Sequence, residues 1–324
     1  MPTVWSNIGG ISVVKFHNIR ALDGDGATAG MVHLLRYQLP PSTSVAELLD
    51  SSLVDNYRDA EVTNPILRLA WQNITWTESA VQDCVKVKAL VLEAFEPQGA
   101  RDSKLTFEGL AFSQLMEDTF WSRDEFSVIH EVLMKPKGAN GWLSAGTSPQ
   151  QRVNMGTPVI RMRRFPPGIS FENTVGKVFE INLLANGDRI ARLCGRPYSL
   201  RFKYVRDKDR ICSFKEIKNI WVPIAQFEGH ELKATEKKAL YTLVAAVFLD
   251  TNQIHMYNPM GSQILPDVEN PVTHGKRWSV EDKKDGSFLL FYVCVGDLHS
   301  GDLQWDTFNE NSVRRVMDFE INLE

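Results

Sequence analysis

Clustered positive charge, closely spaced cysteines and long apolar runs are all missing from this chain of 324 residues. Its 36 Lys and Arg against 40 Asp and Glu leave a net charge of −4. A sequence-independent nucleic-acid binder needs concentrated cationic charge to displace counterions from phosphates, so the balance argues against that class. The one dense basic run, Arg161-Met162-Arg163-Arg164, reads as a solvated strand edge. Four cysteines, Cys84, Cys194, Cys212 and Cys294, form no CxxC pair, which speaks against zinc fingers and a disulfide framework. The longest apolar run, Leu243–Leu249, is far short of the ~20 residues that span a bilayer. Met1–Gly10 has no basic segment leading into an apolar one, so no secretion signal is expected. The expectation is a cytoplasmic or nuclear protein with reduced thiols and neither membrane nor nucleic acid as partner.

Standard catalytic signatures are missing too. Gly138-Ala-Asn-Gly141 is the nearest approach to a phosphate cradle, and it has neither GxxxxGK[ST] nor GxGxxG spacing. No GxSxG elbow occurs. The seven histidines show no HExxH, and His299 beside Asp297 and Asp302 reads as a polar turn rather than a ligand set. Neither a metal nor a cofactor is expected. The carboxylate pairs Glu117-Asp118, Asp124-Glu125 and Glu281-Asp282 read as exposed helix or turn charges.

What is present is ordinary globular material, 43% hydrophobic and 23% charged. Residues 1–60 read as a small β-rich unit. Ile11–Ile19 and Met31–Leu39 suit strands, and Asp23-Gly24-Asp25-Gly26 suits the turn between them. Leu39–Leu49, with Pro40-Pro41 and a Ser42 or Thr43 cap, resembles the strand–cap–helix corner of ubiquitin-like β-grasp domains. Residues 61–150 read as a helical subdomain. Glu78–Phe95 puts Val81, Cys84, Val85, Lys88, Leu92 and Phe95 near one face, with further amphipathic stretches at Thr106–Phe120 and Asp124–Met134. Lys137–Pro149 is rich in Gly, Ser and Asn and reads as a long loop.

From 151 to 324 the pattern is strands: Pro158–Phe165, Lys177–Leu184, Tyr198–Val205, Leu240–Phe248, Arg277–Glu281 and Ser287–Val295. Asn186-Gly187 is a hairpin signal. Helices first and antiparallel strands later point to an α+β fold, with one mainly antiparallel sheet. Leu240–Phe248 and Ser287–Val295 are apolar throughout, as strands covered on both faces are, and belong at its centre.

Thiol chemistry is the remaining candidate. A thiolate nucleophile works best at a helix N-terminus, with a histidine base and a third group orienting it. Cys84 lies about a turn inside its expected helix, and a cysteine on an apolar helix face is ordinarily core.

Six segments, in order, give Cys84 another reading. Pro158–Phe165, Ile220-Trp-Val-Pro-Ile224, Tyr241–Phe248, Ile254-His-Met-Tyr257, Trp278–Asp282 and Phe288–Tyr292 resemble successive motifs of the ubiquitin-specific proteases, papain-like cysteine peptidases. Cys84 followed by Ala89–Phe95 is similar to that family's nucleophile helix, and Ser122–Leu133 to its following helix. The resemblance implies Cys84 as nucleophile, His255 as base, Asp282 as the residue orienting the imidazole, and ubiquitin or a ubiquitin-like modifier as partner. It also implies a papain-like packing of the helical half on the sheet.

The chain departs from the pattern in several places. Ser79-Ala-Val-Gln-Asp83 replaces the asparagine-glycine-asparagine run before the nucleophile, Ile254 replaces the glycine before the histidine, and Glu281 replaces the first aspartate of the Trp segment. The zinc-binding CxxC pairs are absent, and Asp282 lies only a few residues before the last strand. These departures imply a divergent isopeptidase or an inactive ubiquitin-binding scaffold. The scarcity of motifs also fits a non-enzymatic assembly protein, such as a viral coat or nucleocapsid subunit or a complex component that partners other protein subunits.

Overall fold

The computed structural model describes residues 59–71, 78–95, 106–123, 126–162, 168–197, 199–206, 210–228, 231–257, 263–264, 280–281 and 286–297. Of the β-grasp-like unit at 1–60, all but Asp59 and Ala60 lies outside the described residues. The chain is a mixed helix-and-strand, α+β protein. It divides into two compact units, one of residues 1–120 and 245–278, the other of 121–244 and 279–324.

The first unit holds helices α1 (Pro65–Trp71), α2 (Glu78–Phe95), α3 (Phe107–Ala111) and α4 (Gln114–Met116). Asn64 starts α1: its side-chain oxygen accepts the Ile66 N–H at 3.1 Å, and Pro65 takes the first helical position, where no N–H is needed. The Asn64 amide donates to Thr119 Oγ1 at 2.8 Å and to Met116 Sδ at 3.2 Å, so one fully buried side chain ties two helical segments together. Helix α1 packs against α2, and Ile66, Leu67, Leu69, Val87 and Val91 are buried.

The helix expected over Thr106–Phe120 is broken. Ser113 caps a new start by accepting the Met116 N–H, and the chain then widens into a π-turn over Glu117–Trp121. That turn buries Glu117, whose place in a carboxylate pair predicts an exposed charge. The unit also holds the last four residues of β8 (Glu231–Phe248), paired antiparallel with β9 (Gln253–Tyr257), which pairs in turn with β10 (Gln263–Ile264).

The second unit contains two sheets where one was expected. Its four-stranded sheet has the order β2-β1-β5-β4, from β1 (Ile129–Lys135), β2 (Leu143–Ser144), β4 (Asn182–Leu183) and β5 (Arg189–Cys194). In the other, β7 (Asn219–Glu228) pairs with β8, β8 neighbours β11 (Ser287–Asp297), β11 pairs antiparallel with β6 (Ser199–Val205), and β6 pairs with β3 (Val159–Arg161). The β3–β6 pairing is parallel, because the intervening chain crosses over through helix α6 (Phe171–Phe179) and strands β4 and β5. β3 is also much shorter than the strand expected over Pro158–Phe165.

The interior placement of β8 and β11 agrees with their apolar runs. Leu243–Val247 and Phe288–Val293 are fully buried. Aromatic side chains fill this core: Phe202 meets Tyr292 edge-on at 5.7 Å, and Tyr204 stacks on Phe288 at 6.2 Å. The Tyr292 and Tyr241 hydroxyls donate to the Ile217 and Pro197 carbonyls at 2.6 and 2.8 Å.

Two further expectations are overturned. Asp124–Met134 does not form a helix, because Ile129–Lys135 is strand β1. Ile129 opposes Cys194 while Glu131 opposes Leu193, so His130 is one extra residue in a β-bulge. The bulge shifts the inward phase, and Ile129 and Val132 are both buried at a spacing of three, which imitates a helix. Lys177–Leu184 is not one strand either. Ser170 accepts the Asn173 N–H and starts helix α6 (Phe171–Phe179), which buries Phe171, Thr174, Val175 and Phe179. The Asn182 amide then donates to the Lys177 and Glu180 carbonyls and ends it, leaving only β4.

The remaining helices are α5 (Pro149–Met155) and α7 (Phe214–Lys218), the latter started by a Ser213/Glu216 capping box. Val280 and Glu281, expected at the end of a strand, form a turn. The Asn186-Gly187 turn joins β4 to β5 as expected, with Gly187 at φ +89°. Among the described residues, no helix is long and apolar enough to cross a membrane.

Candidate functional site

Cys84 is the seventh residue of α2. Only the first turn of a helix offers unpaired N–H groups, and the macrodipole fades within that turn. The helix therefore begins two turns too early to activate the thiol in the manner of a nucleophile helix. The Cys84 position falls in the same helical row as Val87 and Val91, which are buried, while Leu90 is exposed. Its side chain lies outside the described residues.

His255 sits on β9 directly opposite Ala246 of β8 and is only 4% exposed, in the buried run Ile254–Tyr257. The turn leading into β9 is fixed to the helices: Asn252, at φ +55°, accepts the Phe107 N–H at 2.8 Å through its side-chain oxygen. Cys84 and His255 thus belong to the same compact unit. Asp282 itself lies outside the described residues.

Its neighbour Glu281 is described and exposed. The Glu281 carboxylate accepts the Phe214 N–H at the start of α7. The Val280 and Glu281 carbonyls both accept from the buried Arg206 guanidinium. Glu281 is thus engaged at the start of a helix. Nothing in the sequence around Arg206 marked it as the clamp of this turn.

Two of the other thiols, Cys194 and Cys212, are held in their neutral form. Burial pushes Cys194 up to about 12, with the nearby Cys294 adding to the shift and the Arg196 N–H opposing it. Burial also raises Cys212, against the Tyr204 hydroxyl that favours its thiolate. Neither thiol is poised as a nucleophile. Among the described residues, no three His, Cys, Asp or Glu side chains converge to hold a metal ion.

No protein-family model matches the chain, no curated protein matches it, and no solved structure matches it.

Proposed function

We propose that the chain is a ubiquitin-specific-protease-like protein of papain-like architecture, binding ubiquitin or a ubiquitin-like modifier as a scaffold with little or no isopeptidase activity. The observation that supports the resemblance is order: segments similar to that family's motifs fall on β7, β8, β9 and β11 in succession, with Ala246 of β8 opposite His255 of β9. Weak chemistry follows from position. Cys84 sits beyond the reach of its helix N-terminus, the asparagine that would donate to the oxyanion is replaced, and one such donor is worth about 10²–10³ in rate. His255, buried among Ile254, Met256 and Tyr257, has little exposed surface from which to exchange protons with a bound amide.

An electrophilic probe built on the ubiquitin C-terminus, combined with calorimetry, tests both parts. The expected outcome is ubiquitin or modifier binding with slow or absent labelling. Any labelling should be confined to Cys84, vanish in Cys84→Ala, fall sharply in His255→Ala and fall less in Asp282→Asn. Neither binding nor labelling would refute the proposal and leave the assembly-protein reading in its place.

A further inference from the structure

We propose that Arg192 of β5 anchors a binding site for an oxyanion, a carboxylate or a phosphate, on the four-stranded sheet. Arg192 opposes Val132 of β1, and the row continues to Ala145, whose N–H donates to the Val132 carbonyl at 2.8 Å. Residues two positions away on a strand share its face, which brings Ile190 and Cys194 beside Arg192 and Met134 opposite Ile190. Among the described residues the polar groups of this face are a neutral thiol and Asn182, whose amide is taken by the Lys177 and Glu180 carbonyls, and the face supplies no carboxylate.

Glu131, which opposes Leu193, alternates to the other face, and Glu180 lies two positions before Asn182, the partner of Ile190. Its backbone carbonyl takes the Asn182 amide, and its carboxylate forms no ion pair with Arg192. Arg192 Nε is buried with no hydrogen-bond partner among the described residues. The residue as a whole is half-buried, as are Met134 and Ile190, so part of the side chain reaches the surface of the sheet.

Desolvation lowers the Arg192 pKa, yet a guanidinium stays cationic at neutral pH. A desolvated, permanently charged group without a counter-charge is unfavourable, and a rigid five-donor fork pairs bidentately with carboxylate or phosphate oxygens. The inference does not depend on the ubiquitin-like reading.

The test is thermal unfolding of the full chain in chloride, phosphate and acetate at one ionic strength. Wild type is compared with Arg192→Met, Arg192→Lys and a control, Arg189→Met, at the start of the same strand. Phosphate or acetate should raise the wild-type and Arg189→Met midpoints saturably by about 2–4 °C and leave Arg192→Met unmoved. Arg192→Met should melt no lower than wild type in chloride. A response to phosphate alone assigns a phosphoryl ligand, and a response to acetate assigns an acidic side chain or chain terminus. An equal shift in Arg192→Met, or none in wild type, overturns the proposal. Should Arg192→Met fail to fold, one arginine Nε–H resonance in the labelled wild type should move saturably with phosphate, and a static spectrum overturns the proposal equally.

Discussion

Replacing Asn64 by alanine removes three interactions from a side chain with no exposed surface. The side-chain oxygen that caps α1 is lost, leaving the buried Ile66 N–H without its 3.1 Å acceptor. N-cap losses of this kind cost about 0.5–2 kcal/mol. The 2.8 Å bond to Thr119 goes as well, and a buried neutral bond contributes about 1 kcal/mol net. The thioether contact adds little, so Asn64→Ala should destabilise by about 1.5–3 kcal/mol.

Asn64→Ser keeps a capping oxygen and should recover about 1 kcal/mol of this. Asn64→Asp also keeps the cap, but it aims a second acceptor at Thr119, whose hydroxyl already donates to the Leu115 carbonyl, and it should recover less. Urea unfolding followed by circular dichroism and tryptophan fluorescence measures these differences, provided the m-value is unchanged. A cycle with Thr119→Val should give a coupling near 1 kcal/mol. An Asn64→Ala loss below about 0.5 kcal/mol, or zero coupling to Thr119, would show that the two helical segments are not joined through this side chain.

Three further outcomes are expected. A Cβ at Gly195 would lie 2.0 Å from the His130 ring, so Gly195→Ala should cost about 1–3 kcal/mol in urea unfolding, and His130→Ala in the same chain should restore most of it. Because Cys194 is raised from 9.0 to about 12 in the folded protein, the folded state keeps a proton that the unfolded chain releases above pH 9. Its contribution is intact below pH 9 and falls by about 1.4 kcal/mol per pH unit above it, and the difference between wild type and Cys194→Ala should narrow accordingly from pH 9 to 10. For the proposed function, Cys84→Ala should leave ubiquitin affinity within about twofold of wild type while abolishing any probe adduct, as measured by calorimetry and intact mass.

Strands whose burial is uniform were readable from their residues. Leu243–Val247 and Phe288–Val293 are apolar without interruption, and both are buried without interruption. Turn chemistry was also readable where the residue type is demanded by φ, as at Gly187. Readability failed where a local device alters the period. At His130 one inserted residue turns an alternating strand into a spacing of three, and at Asn182 a side-chain amide ends a helix that β-branched residues disguise as a strand.

The candidate site was partly readable. Cys84 on a helix could be placed from sequence periodicity, whereas the strand that carries His255, Gln253–Tyr257, is too short to show a period and was not among the expected strands. The helix over Glu78–Phe95, which sets Cys84 inside the helix and away from its terminus, was readable from the apolar spacing.

The two compact units interleave along the chain, with one boundary inside β8 between Val244 and Ala245. This has a consequence for synthesis. Residues 1–120 cannot complete their unit until Ala245–Trp278 have emerged, and the ribosome must first make the whole of 121–244. At 5–20 residues per second that interval is about 6–25 s. Throughout it, the apolar side chains that the finished unit buries, Ile66, Leu67 and Val91 among them, lack the β8–β9 hairpin belonging to the same unit. A nascent chain in this condition is a client for holdase chaperones, and slowing translation between 121 and 244 should lengthen its exposure and lower the soluble yield.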